Sequence, residues 1–175
     1  MAECVRWLDS AEQAAWAVFV RAMHALPEAL DRQLKRDSGL PHSDYLVLAI
    51  LSEADERTMT MTQLAVALRY SASRLSRTVT KLEDRGYLRR HRDPSNGRVT
   101  LATLTDAGFA TLAAAAPGHV GQVRAVLFEQ LTPEQVTQFH DIFERILTGP
   151  EINTDCPDSA PHGRSQPVHR SSDTA

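Results

Sequence analysis

The sequence lacks the residue patterns from which most catalytic, metal and disulfide sites are built. It has two cysteines, Cys4 and Cys156, and neither belongs to a CxxC pair. Its seven histidines never recur at the i, i+4 spacing that places two metal ligands on one helix face. A glycine-rich phosphate loop, an HExxH motif and a GxSxG motif are also missing. These absences argue against an enzyme, and we expect no catalytic site, no cofactor and no metal site.

Long apolar runs are missing as well. No stretch approaches the roughly 18–20 apolar residues that a membrane-spanning helix needs. The first residues, MAECVRWLDSAEQ, are too polar for a signal peptide. With 42% hydrophobic and 23% charged residues, the composition is that of an ordinary soluble globular protein. We therefore expect a cytoplasmic protein without membrane contacts, whose two cysteines are free thiols.

Apolar periodicity and cap residues predict a mostly helical chain. The first predicted helix spans 10–37, is capped by Ser10 and is kinked at Pro27. The next three begin at Ser43, run from Thr62 to Leu68, and run from Ser71 to Arg85. The fifth begins at Thr105 and is interrupted at 116–119, and the last is capped by Thr132. Residues 58–62 alternate like a short strand. The polar, proline-containing residues 150–175 are predicted to be a disordered tail.

A β-hairpin is predicted directly after the fourth helix. Gly86 is a natural helix stop, and the strand-like segments 87–91 and 99–104 follow it. Between them lies RDPSNGR, whose Asp-Pro and Asn-Gly pairs are strong turn signals. The tip of this hairpin is basic.

Positive charge is concentrated in residues 71–98. Eight basic and three acidic side chains give this stretch a charge of +5, whereas the whole chain carries −3, so the other 147 residues sum to −8. At 100° per residue, Leu75, Val79 and Leu82 share one stripe of the helix. Four cations lie on the face nearly opposite to that stripe: Arg74, Arg77, Lys81 and Arg85.

A short helix, a turn, a basic helix and a basic hairpin together form the pattern of a winged helix-turn-helix. Such a helix can enter the major groove of double-stranded DNA, and the wing can reach the adjacent minor groove, where arginine is attracted. The candidate DNA contacts are Thr62, Ser71, Ser73, Arg74, Arg77, Thr78, Lys81, Arg92, Asn96 and Arg98. The alternative is a winged-helix module that binds protein or RNA.

Here the sequence resembles the MarR family of bacterial transcriptional regulators. The resemblance is carried by an LExxG phrase at Leu82–Gly86, a strand from Leu88 to Arg90, a DPxDxR-like wing at Asp93–Arg98 and an LTxxG helix start at Leu104–Gly108. It covers roughly residues 8–148. Two positions depart from the family pattern: Asn96 stands where the family usually has Asp, which can brace the wing by charge, and Pro27 is unusual in the first helix.

The outer helices are too apolar to be left in water. Their apolar residues include Trp16, Phe19, Met23, Phe139, Phe143 and Ile146. This surplus predicts a homodimer, and the resemblance implies the same, with two reading helices on an inverted-repeat operator. The expected organisation is a winged helix-turn-helix flanked by dimerisation helices: an N-terminal dimerisation helix (1–40), the DNA-binding module (41–104), C-terminal dimerisation helices (105–149) and the tail (150–175).

The resemblance also implies a repressor, nucleoid-associated when bound to DNA, that a small aromatic or anionic effector releases. Candidate effector residues near the junction of the outer helices with the winged module are Trp16, Arg21, His24, His42 and Tyr45. Each has a simpler interpretation as a core or ordinary polar residue. A thiol-based redox sensor is a further alternative, weakened because Cys4 precedes the first helix and has only Arg6 nearby to lower its pKa.

Overall fold

The computed structural model describes residues 6–149, so that Cys4, Cys156 and the predicted tail lie outside it. Within this range the elements are α1 (Ser10–Ser38), α2 (His42–Glu53), β1 (Thr58–Thr60), α3 (Met61–Leu68), α4 (Ala72–Asp84), β2 (Leu88–Arg92), β3 (Thr100–Leu104), α5 (Asp106–Val126) and α6 (Pro133–Leu147). Short 3-10 turns occupy Asp55–Arg57 and Phe128–Gln130. The mostly helical fold with a small β-wing is confirmed.

The three strands form one antiparallel sheet in the order β1-β3-β2. The predicted hairpin is β2 and β3, which pair in register from Leu88 opposite Leu104 to Arg92 opposite Thr100. On the other side of β3, Thr58 of β1 lies opposite Thr103. The sheet thereby joins the wing to the segment that leads into α3.

One apolar core lies beneath the winged helix. Its central side chains, all less than 2% exposed, are Leu34, Leu40, Val47, Leu48, Leu51, Leu64, Leu75, Val79 and Leu82. Burial of such side chains is the main favourable term in folding. The core therefore draws on α2, α3 and α4 together, with α1 contributing through its last turns.

Three predicted helix starts are wrong by one or two residues. Asp9, not Ser10, caps α1, because its carboxylate accepts bonds from the backbone N–H groups of Ala11 (2.8 Å) and Glu12 (2.9 Å). Thr60, not Thr62, caps α3 in a reciprocal pair with Gln63. For α2 the structure places Pro41, not Ser43, at the cap position. At α2 no side chain caps the helix, because the side chain of Pro41 has no group that can accept a hydrogen bond from the first turn.

The predicted interruption of α5 at 116–119 is also wrong, because α5 continues through Pro117 to Val126. Leu112, Ala115 and His119 are buried along this helix. A Cβ atom added at Gly118 would lie 3.0 Å from Nε2 of Gln33 on α1, so the two helices pack closely here. Tertiary packing outweighs the missing backbone donor of Pro117. α1 also continues past Pro27, and the kink expected there stays a prediction.

The chain divides into two units, one up to Thr137 and one from Gln138 onward, so that the division falls within α6. The start of α6 is as predicted, since the backbone N–H of Thr132 donates to Gln135 at 2.9 Å. No helix within residues 6–149 combines the length and the apolar character needed to cross a membrane.

Two glycines shape the base of the wing. Gly86 has a φ of +74°, the left-handed conformation that ends α4 and that L side chains rarely adopt. At Gly108, in the first turn of α5, an added Cβ would lie 2.2 Å from the carbonyl oxygen of Tyr87. The glycine of the LTxxG phrase is therefore required by a close approach of α5 to the start of β2.

Replacing this glycine tests that close approach. Gly108→Ala should lower the free energy of unfolding by about 1–3 kcal/mol, because backbone must shift to admit the methyl group. The matched control is Gly121→Ala in the same helix, where an added Cβ meets no atom within 4 Å. There alanine should be neutral or stabilising by up to about 1 kcal/mol. Urea denaturation measures both, and equal effects of the two variants would contradict the packing described.

Candidate nucleic-acid interface

Helix α4 has one buried face and one basic face, as its sequence predicts. Ser71 caps the helix by accepting a bond from the backbone N–H of Arg74 (3.3 Å). Leu75, Val79 and Leu82 are at most 1% exposed. With that stripe buried, the opposite face must meet solvent, and this is the face that carries the cations.

Aromatic rings brace two of the cations on this face. The Arg74 guanidinium lies 3.9 Å from the ring centre of Tyr70, and the Arg85 guanidinium lies 4.8 Å from that of Tyr87. Arg77 instead donates from Nε to the carbonyl oxygen of Ser73 (3.3 Å). Cation–π contacts of this kind restrain a guanidinium without neutralising its charge. All three arginines are exposed.

Lys81 differs from these arginines because an acid faces it. Its Nζ lies 2.8 Å from a carboxylate oxygen of Asp44 on α2, and the Lys81 side chain is 51% exposed. The Asp44 residue is 2% exposed. The charge of Lys81 is therefore paired inside the protein. The hydroxyl of Thr78 donates to the carbonyl oxygen of Arg74, one turn earlier in the same helix (3.1 Å).

The wing loop between β2 and β3 is ordered by its own hydrogen bonds. Asp93 accepts from the backbone N–H of Ser95 (2.8 Å) and from its hydroxyl (2.7 Å), which lowers the pKa of Asp93. Asn96 accepts from the backbone N–H of Arg98 (3.2 Å). Arg92 donates to the hydroxyl of Thr100 (3.2 Å). Asn96 thus keeps a hydrogen bond in the wing although it cannot supply the charge that Asp would.

A two-residue clasp joins α4 to the wing, and the sequence did not predict it. The Glu83 carboxylate accepts from the backbone N–H of Arg90 (2.9 Å) and from its Nε (2.8 Å). These bonds, with the positive charge of Arg90, lower the pKa of Glu83. Charge-assisted bonds of this kind are stronger than neutral ones. The clasp restrains the angle between α4 and the β2–β3 hairpin. Its only sequence signal was the glutamate of the LExxG phrase.

Two depressions make α4 and the wing one continuous surface. The first, an open groove of about 420 Å³, runs along α4 and is lined by Ser76, Arg77, Thr80, Lys81, Asp84 and Arg85. The second, of about 380 Å³, is lined by Thr60, Met61, Thr62, Ser76, Arg90, Arg98, Val99 and Thr100. Thr62 and Arg98, which are far apart in the chain, line the same depression. Ser76 and Arg90 belong to this surface although they were not among the predicted contacts.

The five predicted effector residues fall into two places. Trp16, Arg21 and His24 are exposed along α1. His42 and Tyr45 lie at the start of α2, next to His119 of α5, with ring centres 5.7 Å and 4.3 Å from that of His119. The structure therefore gathers two of the five and adds His119, which the sequence did not single out.

The junction of α1, α2 and α5 contains buried polar atoms without hydrogen-bond partners. Among the described residues, these include Nδ1 of His119, which is 9% exposed, and Oε1 of Gln33, which is 3% exposed. Burial lowers the pKa of His42 and of His119, and the nearby His42 lowers that of His119 further. A lowered pKa favours the neutral imidazole, which can accept a hydrogen bond.

One group of three possible metal ligands occurs within residues 6–149. His140, Asp141 and Glu144 on α6 bring their ligand atoms within 4.8 Å of one another. All three side chains are exposed, and such groups commonly form without an ion. We assign no metal to them.

Comparison with known proteins agrees with this geometry. The sequence model of the MarR family matches residues 38–99. An HTH-type transcriptional regulator of Bacillus subtilis, YxaD, is 35% identical over 67% of this chain and 78% of its own. Sco3205 of Streptomyces coelicolor, a MarR family regulator solved in complex with DNA, is 40% identical with a TM-score of 0.80 over 86% of this chain and 96% of that one. AbsC of the same organism, also a MarR family regulator, is 35% identical with a TM-score of 0.77, covering 81% of this chain and 95% of its own.

Proposed function

The chain belongs to the MarR family of transcriptional regulators, and on that basis we propose that it is a repressor that binds an inverted-repeat operator as a homodimer. The observation that carries DNA binding is the continuous basic surface of α4 and the wing, on which Thr62 and Arg98 line one depression. The complex of the similar Sco3205 with DNA supports it. The proposed place of action is the cytoplasm, and the nucleoid when DNA is bound.

In this proposal α4 enters the major groove and the wing follows the adjacent minor groove. Arg77 is exposed, and its Nε donates to the carbonyl oxygen of Ser73. In the contacts described, no acid pairs with it. Arg98 stands at the wing tip. The remaining proposed contacts are Thr62, Ser71, Ser73, Arg74, Thr78, Arg92 and Asn96, with hydroxyl and amide groups suited to phosphate or base edges. Lys81 is the weakest of the predicted contacts because Asp44 neutralises part of its field.

Removing the wing-tip cation tests the mode of binding. Arg98→Ala should weaken binding to a duplex from the DNA upstream of the protein's own gene by about 1–3 kcal/mol if the guanidinium reads a base. The fold should be unaffected, because Arg98 is exposed and outside the core. Mobility-shift titration measures the loss.

The control for Arg98→Ala is Arg124→Ala, which removes the same charge from an exposed position on α5. It should leave affinity nearly unchanged, since it lies outside the proposed surface. If the two variants bound equally well, or if the wild-type protein failed to shift the duplex, the assignment of the wing would be wrong.

The homodimer is proposed from apolar side chains that the single chain leaves in contact with water. Six of them are between 44% and 57% exposed: Trp16, Val18 and Met23 on α1, and Ile142, Ile146 and Leu147 on α6. The residues of α1 that are buried within the chain itself are Gln33 and Leu34, near its C-terminal end. Apolar faces of this extent on two helices are typical of obligate interfaces. We infer that α1, α5 and α6 serve dimerisation and that residues 41–104 bind DNA.

A charge placed on α6 tests this interface. Ile142→Asp should convert the dimer to a monomer, because a carboxylate buried between two chains would lack a partner. Light scattering should give twice the chain mass of 19.4 kDa for the wild type and a single chain mass for the variant. Val66→Asp, at an exposed apolar position on α3, is the control and should stay dimeric. A dimeric Ile142→Asp protein would place the interface elsewhere.

We also infer that an effector would act at the junction of His42, Tyr45 and His119. The unpartnered atoms of His119 and Gln33 favour a molecule with polar groups there, and the three rings favour an aromatic one. Trp16, Arg21 and His24 would take part only if the partner subunit enclosed them.

Family membership argues against the alternatives of an enzyme or of a protein- or RNA-binding module. The redox alternative rests on Cys4 and Cys156, which lie outside the described residues.

A further inference from the structure

The ion pair between Asp44 and Lys81 joins α2 to α4 at one defined point. Asp44 is the third residue of α2 and is 2% exposed. One oxygen of its carboxylate lies 3.3 Å from the Ser43 hydroxyl, and the other lies 2.8 Å from Nζ of Lys81. The second contact lies outside hydrogen-bonding angles, so that the attraction is mainly between charges. Among the described contacts, Lys81 is the cation that compensates this buried acid.

The position of Lys81 on α4 gives this pair a mechanical consequence. With Leu75 at 0° and about 100° per residue, the buried stripe is centred near 0°, Glu83 lies at about 80° and Lys81 at about 240°. Apolar packing is not directional and leaves the roll of a helix loosely defined. The Glu83–Arg90 clasp and the Asp44–Lys81 pair restrain α4 from the two flanks of its buried stripe.

We propose that Asp44 is a positioning residue for DNA binding, and that Lys81 acts inward on Asp44 to fix the roll of α4 instead of neutralising a phosphate. The proposal rests on the proposed DNA-binding function and changes the role of one residue within it. A buried carboxylate requires its partner, and a lysine held by that carboxylate is a poor counterion for DNA. The phosphate contacts of α4 then fall to its arginines, Arg77 above all.

Salt dependence separates a positioning lysine from a phosphate contact. Each phosphate that a protein neutralises contributes about −0.9 to the slope of log affinity against log salt. We would measure this slope with the upstream duplex for the wild type, Asp44→Asn, Lys81→Met, the double variant and Arg77→Ala. The double variant buries no charge, so it remains testable even if Lys81→Met alone fails to fold.

The expected result has three parts. Asp44→Asn and Lys81→Met should each weaken binding by about tenfold, a typical coupling for residues in contact, and the double variant should be no weaker than the worse single variant. The slopes of these variants should equal that of the wild type. Arg77→Ala should lose about 0.9 of the slope, which shows that the assay detects a lost phosphate contact.

Two results would overturn the proposal. If the double variant lost about 0.9 of the slope, Lys81 would be a phosphate contact. If Asp44→Asn bound DNA more tightly than the wild type, Asp44 would restrain Lys81 and not position the helix. A flat slope for the wild type would instead contradict the DNA-binding function itself, and with it any positioning role.

Discussion

Burial of Leu75, Val79 and Leu82 is the constraint on which the remaining features of the DNA-binding surface depend. These side chains are inserted into a core built from α2, α3 and the end of α1. Once they are buried, the opposite side of this 13-residue helix must meet solvent, and the polar contacts of Glu83 and Asp44 refine its roll. Arg74, Arg77 and Arg85 then point to solvent, whereas Lys81 pairs with Asp44. Arg74 lies in the first turn, which disfavours a cation, and its contact with Tyr70 offsets part of that cost.

The polar contacts around this stripe turn a helix and a hairpin into one surface. Glu83 holds Arg90 of β2, and Asp44 holds Lys81 from the opposite flank. Gly86 and Gly108 allow the backbone at the base of the wing to turn sharply and to pack closely. The hydrogen bonds from Arg90 lower the pKa of Glu83, which favours the charged carboxylate in this contact. The geometry between α4 and the wing is therefore set before any DNA is bound.

Local signals in the sequence were sufficient for the reading helix and the wing. The cap at Ser71, the stop at Gly86 and the turn residues of 92–98 act over a few residues, and the structure has all three. Where neighbouring residues competed, as Asp9 and Ser10 did for the cap of α1, the local pattern could not decide. Pro117 misled the prediction because its effect is overridden by packing between α1 and α5.

Contacts between distant residues could not be read from the sequence at all. Asp44 and Lys81 are separated by more than thirty positions, and no spacing rule connects them. The sequence did not predict a role for His119, because its contacts with His42 and Tyr45 depend on how α5 packs against α2. Of the apolar residues predicted on α1, Trp16 and Met23 are more than half exposed in the single chain. That exposure is intelligible if a second copy of the chain covers it.

Hydroxyl-radical footprinting of the wild-type protein on its upstream DNA tests the central claim most directly, because it reports the dimer, the reading helix and the wing together. Two copies of α4 related by a two-fold axis should protect two patches about one helical turn apart, symmetrically on the two strands. Protection from the wings should extend beyond each patch on its outer side. A single patch without two-fold symmetry, or uniform protection with no preferred site, would contradict the account.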